Sequence, residues 1–588
     1  MNNHEIARLL KDVAAAYAIK NESKYRFQII AYQKASDAID NSTAEVSDLA
    51  KEDNLQKIQG VGPSLQEHLK ELISTGHVKH FEKIMEDVPQ AVFPLLDIPS
   101  FGPKKAYRLV SHFKLSDPKT VIKEVKKLAE DGKIAELEGF GEKSQSDILR
   151  AVTEYGQGVN KTSRMVLPYA GEIAEKLIEY MKKCKEVEKV YPLGSLRRRK
   201  ETIGDVDIAV ASKEPEKVIE HFVNYPYKDR VIERGPATSS LLISGGKHID
   251  LMVQPPEAFG SLLQHFTGSK EHNVHLREYA LKKGLSLSEY GIRSKDNPDK
   301  LTQYDDEVEF YKALGLDWIP PEIREDTGEI ELAQKGLLPK LVELKDMKGD
   351  FHLHSSFPIE PSHDMGADTM ETMIKKAESL GYQYLGFSEH NPSQSKHTDK
   401  QIYEILLQRS KKIEQLIKSN KNIRVFSLLE TDILPNGSLA INDEALSLLD
   451  ATLVSIHSVF SMDKVEMTKR VLKGLSHPKA KILTHPTGRI INERPGYELD
   501  WKEIFAFCKA ENKALEINAF PSRLDLSDQL VRQAVEHGIK LFIDTDSHAV
   551  EQMDLMQYGV SVARRGWATK DDILNAQEYN KIVDFFNN

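Results

Sequence analysis

The pattern of apolar and polar positions changes character along the chain. Up to about residue 155 apolar residues recur at helical spacing in short stretches broken by glycine, which predicts short amphipathic helices. From about 160 to 320 strand-like and helical runs alternate. In Asp205-Val206-Asp207-Ile208-Ala209-Val210, strand alternation puts both aspartates on one face while Val206, Ile208 and Val210 point into a core. In His248-Ile249-Asp250-Leu251-Met252-Val253, Ile249, Leu251 and Val253 likewise oppose Asp250. Pro320-Pro321 and the acidic stretch Glu322 to Glu331 read as an extended linker, because consecutive prolines resist helix and like charges resist compaction. From near Gly349 a helix and a short apolar run recur over and over, the pattern of parallel strands with helical crossovers.

A chain of 588 residues is long enough for several cores, and 40% hydrophobic with 29% charged residues is an ordinary globular composition. No apolar run approaches membrane-spanning length, and Met1-Asn2-Asn3-His4-Glu5 lacks a charged-then-apolar signal pattern, so cytoplasmic residence without membrane contact is expected. Cys184 and Cys508 are too few for a disulfide framework or a thiolate zinc site. The formal net charge of −10 argues against strong indiscriminate affinity for nucleic acid. Its distribution matters more: basic residues gather at Lys182, Lys183, Lys185, Lys189 and Arg197 to Lys200.

Three glycine turns look alike: Gly60-Val61-Gly62-Pro63, Ser100-Phe101-Gly102-Pro103 and Gly139-Phe140-Gly141-Glu142. Each follows an apolar helix end and precedes another helix, at a recurrence of roughly forty residues. A single Gly-x-Gly is ordinarily a helix C-cap, but three spaced copies resemble helix-hairpin-helix turns. There the N–H groups of the next helix hold a DNA phosphate, which fixes position without reading sequence.

An isolated Asp-x-Asp is ordinarily a solvated strand edge. Here Gly194-Ser195-Leu196-Arg197-Arg198 lies just upstream and supplies backbone N–H groups, a hydroxyl and guanidinium charge suited to a triphosphate. Neighbouring carboxylates repel unless cations lie between them, and two Mg²⁺ ions about 3.5–4 Å apart clamp the oxygens of an in-line phosphoryl displacement. Gly194-Ser195, Arg198, Gly204-Asp205-x-Asp207 and Asp250 occur in the order found in family X DNA polymerases, which the chain therefore resembles. Phe266-Thr267-Gly268-Ser269, Asn273, Arg277 and Leu285 to Ile292 look like that family's segment contacting the incoming nucleotide and the primer-template minor groove.

In the last domain, His352 and His354, His390, Glu430, His457, His485, Asp546 and His548 each stand at the C-terminal end of an apolar run, where barrel active sites gather. Imidazole and carboxylate without thiolate favour Mn²⁺, Zn²⁺ or Fe²⁺, with more than one ion. These motifs resemble the polymerase and histidinol phosphatase (PHP) domain, a barrel phosphoesterase, and the resemblance implies all eight residues as ligands. The family's short first loop is replaced by Ser355 to Gly366, where Asp364 is chosen as the loop ligand and Glu360 or His363 could substitute. By the family's spacing His68 stands where a Schiff-base lysine would be, so abasic-site lyase activity is not expected. His265-Phe266 replaces a Tyr-Phe pair common in animal relatives, which leaves sugar discrimination open.

The two resemblances imply a multidomain α/β protein with a helical N-terminal region, a mixed-sheet nucleotidyltransferase palm and a distorted (β/α) PHP barrel. Expected boundaries are 1–85 and 86–158 for two helical DNA-binding regions, 159–255 for the palm, 256–320 for a thumb-type nucleotide-selection subdomain, 321–348 for the linker and 349–588 for the barrel. The implied activity is gap-filling DNA synthesis with Mg²⁺ and a metal-dependent 3′-to-5′ exonuclease with Mn²⁺ or Zn²⁺. The implied partners are gapped or primer-template DNA and deoxynucleoside triphosphates, met by a monomer. Two alternatives stand beside it: a barrel acting as abasic-site endonuclease or small phosphate-ester phosphatase, and a non-enzymatic DNA-end-binding scaffold.

Overall fold

Glycine and proline set the helix boundaries of the N-terminal region. Helices α1 (Pro63–Thr75) and α2 (Pro103–Phe113) each begin with proline, whose missing N–H costs nothing there, after an extended glycine, Gly62 or Gly102. The computed structural model describes residues 1–588 other than 2, 41–45, 52, 59–60, 97, 99–100, 138, 143, 147, 150–151, 153–163, 244–246, 421 and 588. Gly60 and Ser100 thus lie outside the described residues. α1 buries Leu65, Leu69 and Leu72 against Ile6, Leu10 and Val13, whereas α2 packs Ala106, Leu109 and Val110 with Phe101, Phe140 and Ile148 in a separate core. The first turn belongs to one core, and the other two share the second.

The described chain divides into two units: Met1–Arg164 with Glu175–Tyr180 and Ile219–Asp250, and Met165–Ala174 with Met181–Val218 and Leu251–Asn588. Among the described residues no helix is long and apolar enough to cross a membrane.

A five-stranded sheet is built from β1 (Lys189–Pro192), β2 (Val206–Ala211), β3 (Lys228–Arg234), β4 (Thr238–Ile243) and β5 (Lys247–Gln254), in the order β1-β2-β5-β4-β3. β2 departs from simple alternation. Val206, Ile208 and Val210 are buried as expected, but Ala209 and Ala211 on the aspartate face are buried too, under Phe259, Leu262 and Leu263 of α3 (Phe259–Thr267).

The expected linker is not extended. Pro321–Ile323 forms a 3₁₀ turn and Glu329–Lys335 a helix, with Ile323, Ile330 and Ala333 in one core with Leu276 of α4 (Lys270–Lys282), Phe310, Tyr311 and Ile319. The charge run conceals buried pairs. Arg324, fully buried, donates to Glu307 at 2.7 Å, and Arg197 donates to both Glu307 oxygens at 3.0 and 2.8 Å. Glu329 meets the buried His272 at 2.7 Å.

The C-terminal region carries parallel strands β6 (Gly349–Leu353), β7 (Tyr384–Phe387) and β8 (Arg424–Ser427) in one sheet. A second parallel sheet holds β9 (Glu430–Asp432), β10 (Thr452–Ser455), β11 (Ala480–Leu483), β12 (Ala514–Asn518) and β13 (Leu541–Asp544). Isolated bridges join Leu353 to Ser547 and His390 to Glu430, so the two sheets close into a distorted barrel. Phe351, Tyr384, Phe426 and Phe542 form an apolar cluster with Phe585 and Phe586 of the helix Tyr579–Asn587.

Burial pushes the pKa of Glu307 up, but the Arg324 and Arg197 guanidiniums outweigh it and hold the carboxyl well below the usual range. Its contribution is present above the unfolded value of about 4.3 and is lost as pH falls below that. Glu307→Gln should lower stability by about 3 kcal/mol at pH 7 by uncompensating the buried Arg324 and the part-buried Arg197 guanidinium. Urea unfolding should show the gap to the parent protein narrowing in acid; an unchanged gap at pH 3 and pH 7 would contradict the assignment.

Candidate active sites

Gly194 opens the first site. Its φ of +56° suits glycine, and a Cβ there would collide with the Asp207 carboxylate, so the Gly-Ser turn lies directly against that acid. Asp205, exposed, precedes β2 beside Gly204; Asp207 lies on β2 and is half-buried. Asp250 lies on β5, next to β2 in the strand order, and accepts a short hydrogen bond from Ser240 Oγ.

The two arginines of the turn part ways. Arg197 is committed to Glu307 and Thr267, whereas Arg198 donates Nε to Glu325 at 3.0 Å and Nη1 to the Thr267 carbonyl. That carbonyl leads into Gly268, which packs against the Arg198 guanidinium. Ser269 caps α4 by accepting from His272 N at 3.2 Å. Asn273 accepts from Gln264 at 2.8 Å and donates to the His265 carbonyl at 2.7 Å, and Arg277 reaches His265 Nδ1 at 3.4 Å. Arg198, Phe266, Gly268, Asn273 and Arg277 thus belong to one connected segment.

In the N-terminal unit a Cβ at Gly62, Gly102 or Gly141 would meet nothing, which leaves these turns open to a phosphate, and Val61 is buried beneath the first. Gly139 takes φ +82° with the Arg108 side chain against it. His68 stacks on His80 at 4.8 Å, and its Nδ1 pairs with the Tyr32 hydroxyl at 3.2 Å.

The second site lies at the C-terminal ends of the barrel strands. His352 lies on β6 and His354 follows it, His390 follows β7, Glu430 follows β8 and begins β9, and His457, His485, Asp546 and His548 follow β10, β11 and β13. Ligand-type atoms of His354, His390 and His548 lie within 4.8 Å of one another, as do those of His352, His354 and Asp546, of His352, Glu430 and His485, and of His390, Glu430 and His457. His352 Nε2, both nitrogens of His354, His390 Nδ1, His485 Nδ1, His548 Nε2 and Glu430 Oε2 are buried without a hydrogen bond. Seven such atoms in one core would be costly unless cations were their partners. The donor set therefore fits more than one divalent ion.

Burial disfavours charge on His352, His354, His390, His457 and His485, and the neighbours decide the outcome. Asp546, Glu516 and Glu430 outweigh burial and push His352 up, and Glu430 and Asp432 push His457 up to about 9. Burial prevails at His354 and His390, which are pushed down, and at His485, pushed down to about 4. Glu430 is held well below its usual range by His390, His352 and His457 despite its burial.

A family model for the DNA polymerase beta thumb matches residues 262–325, and a helix-hairpin-helix domain model matches residues 1–78. The DNA polymerase/3′-5′ exonuclease PolX of Bacillus subtilis (strain 168) is 33% identical over 587 residues, spanning 100% of this chain and 99% of that protein. The chain belongs to the PolX family. DNA polymerase lambda of Rattus norvegicus is 24% identical over 55% of this chain and 56% of its own length. A probable phosphatase of Thermoanaerobacter sp. (strain X514) is 23% identical over 40% of this chain and 93% of its own length. As a PolX-family protein the chain is an enzyme.

In the first PHP loop Asp364 is exposed and, among the described residues, joins none of the metal-type groups, whereas His363 forms one with Asp432 and His457. Its ring lies 4.3 Å from His457 and 5.1 Å from His390, and Nε2 faces Asp432 at 3.3 Å. Glu360 turns away to His397, 3.3 Å distant. Asp432, at the end of β9, gives the His363 ring its hydrogen-bonding partner.

Two supporting carboxylates were not singled out from the sequence. Glu516 on β12 holds His352 Nδ1 at 2.6 Å, and Asp432 holds His457 Nδ1 at 2.7 Å, so the Nε2 edges of both rings face the cluster. The signal for Glu516 was a charge inside the apolar run Leu515-Glu516-Ile517. Asp432→Asn should weaken metal retention about tenfold in chelator competition, given what such supporting groups contribute. His363→Ala should likewise lower the metal bound per chain while Asp364→Ala leaves it unchanged; the reverse pattern would restore Asp364 as the loop ligand.

Proposed function

We propose that this enzyme is a DNA polymerase that fills short gaps at its palm and trims 3′ ends at its barrel. What carries the reading is the presence in one PolX-family chain of two separate constellations suited to phosphoryl chemistry, one acidic and open, the other buried and rich in imidazole. Divalent ions, Mg²⁺ at the palm and Mn²⁺ or Zn²⁺ at the barrel, would supply Lewis acidity when bound. Asp205 and Asp207 would hold both palm ions, with Asp250 serving the one near the primer 3′-hydroxyl. Ser195, the Gly194 and Gly204 backbone and Arg198 would hold the triphosphate and spread the charge of its leaving group. Phe266, Gly268, Asn273 and Arg277 would line the nucleotide and minor-groove side, and the three glycine turns would position DNA through its phosphates.

At the barrel, His352, His354, His390, Glu430, His457, His485, Asp546 and His548 would hold the ions, with His363 from the loop. Glu516 and Asp432 orient His352 and His457. Gapped or primer-template DNA and deoxynucleoside triphosphates are the proposed substrates, the chain acts as a monomer, and we place it in the cytoplasm. One observation favours a second reading of the barrel alone, the likeness to a probable phosphatase; turnover of histidinol phosphate against single-stranded and abasic DNA separates the two.

Asp205→Ala should abolish nucleotide incorporation and spare degradation of a mispaired 3′ end, and His354→Ala should do the reverse. Primer-extension and exonuclease gels on the same DNA check this. Loss of both activities from either change in a folded protein would sink the two-site assignment.

A further inference from the structure

Arg565 closes a helix, α5 (Met556–Arg565), whose Met556, Val560, Val562 and Ala563 pack in the core of the C-terminal barrel. Its side chain leaves that core for the polymerase half. Nη1 donates to the Arg198 carbonyl at 2.7 Å, to Glu325 Oε1 at 3.1 Å and to the Glu322 carbonyl at 3.1 Å. Nε and Nη2 form a fork on Asp528 Oδ2, at 2.8 and 2.6 Å, so the guanidinium is fixed in orientation as well as place. Only 3% of the side chain is exposed.

Glu325, which accepts from Arg565, also accepts from Arg198 Nε at 3.0 Å, with Lys200 3.5 Å away. Arg198 is therefore held at both ends: its main chain directly by Arg565, its guanidinium through Glu325. The Nε edge and Nη1 are occupied by Glu325 and the Thr267 carbonyl, while Nη2 takes part in neither bond. A second contact, Arg489 to Glu201 at 2.7 Å, joins the barrel to the same turn.

We propose that Arg565, a residue of the phosphoesterase barrel, is a positioning residue for DNA synthesis: through Glu325 and the Arg198 carbonyl it aims Arg198 at the phosphates of the incoming nucleotide. This rests on the reading of Arg198 as a triphosphate ligand. The exonuclease domain is then a structural part of the nucleotide pocket, and removing its docking arginine acts on nucleotide binding before it acts on any hydrolysis.

The test measures single-nucleotide insertion into gapped DNA by the full chain. Arg565→Ala should raise the KM for the nucleotide about tenfold, as expected when a charge-assisted hydrogen bond is lost, with kcat within roughly twofold. Exonuclease activity on single-stranded DNA should stay at the parent level. Arg565→Lys should not restore KM, because an ammonium cannot bridge Asp528, Glu325 and the Arg198 carbonyl as a planar fork does. Glu325→Gln, away from the barrel core, should raise KM alone, and the double change Arg565→Ala with Glu325→Gln should cost less than the sum. Should Arg565→Ala impair folding, Glu325→Gln and Asp528→Asn carry the same expectation. If Arg198→Ala raises KM while the Arg565 and Glu325 changes do not, the positioning role is overturned. If Arg198→Ala leaves KM unchanged, the pocket reading falls and this inference with it.

Discussion

One carboxylate organises the barrel. Glu430 faces His352 at 3.2 Å, His354 at 3.6 Å, His390 at 2.9 Å, His457 at 3.3 Å and His485 at 2.9 Å, so five side chains from four strand ends converge on it. Such an arrangement does not arise for packing, since buried ring nitrogens left without hydrogen bonds, as on His352, His354, His390 and His485, weaken a core. It fits a place where positive charge is brought in from outside. The supporting layer follows the same logic, with Glu516 and Asp432 turning rings that would otherwise satisfy themselves locally.

The palm solves a related problem by opposite means. Its acids sit at an exposed sheet end and a half-buried strand position, beside a glycine that only a missing side chain lets approach Asp207. An open acidic site suits cations that arrive with an anionic substrate and leave again at each turnover, whereas a closed imidazole cage suits ions that stay. Between them, Arg197 turns to Glu307 and Arg198 to Glu325, although the two are neighbours in sequence.

Much of this could be read from the chain because the chemistry repeats at one structural position. A histidine after one apolar run says little, but His354, His390, His457, His485 and His548 after successive runs define a barrel rim. What escaped did so for physical reasons. The segment after Pro320-Pro321 has a linker's composition, yet Arg324 and Glu329 find buried partners in Glu307 and His272, and pattern alone cannot reveal partners distant in sequence. Asp364 was the apt residue by analogy, but it is His363 that lies beside Asp432 and His457, a proximity no pattern along the chain displays. Asp205-x-Asp207 was legible as acid placement, though the second buried face of β2 depended on α3.

The aromatic floor of the barrel has a bearing on how the molecule is made. Phe351 on the first barrel strand packs against Phe586, 5.6 Å between ring centres, across more than two hundred intervening residues. Contacts that distant in sequence form late. During synthesis the helical and palm regions emerge first and can settle, while the barrel stays unsealed until the Tyr579–Asn587 helix has left the ribosome. On this account Arg565 meets the Arg198 turn only as the barrel closes, so the two ends of the molecule mature together rather than one after the other.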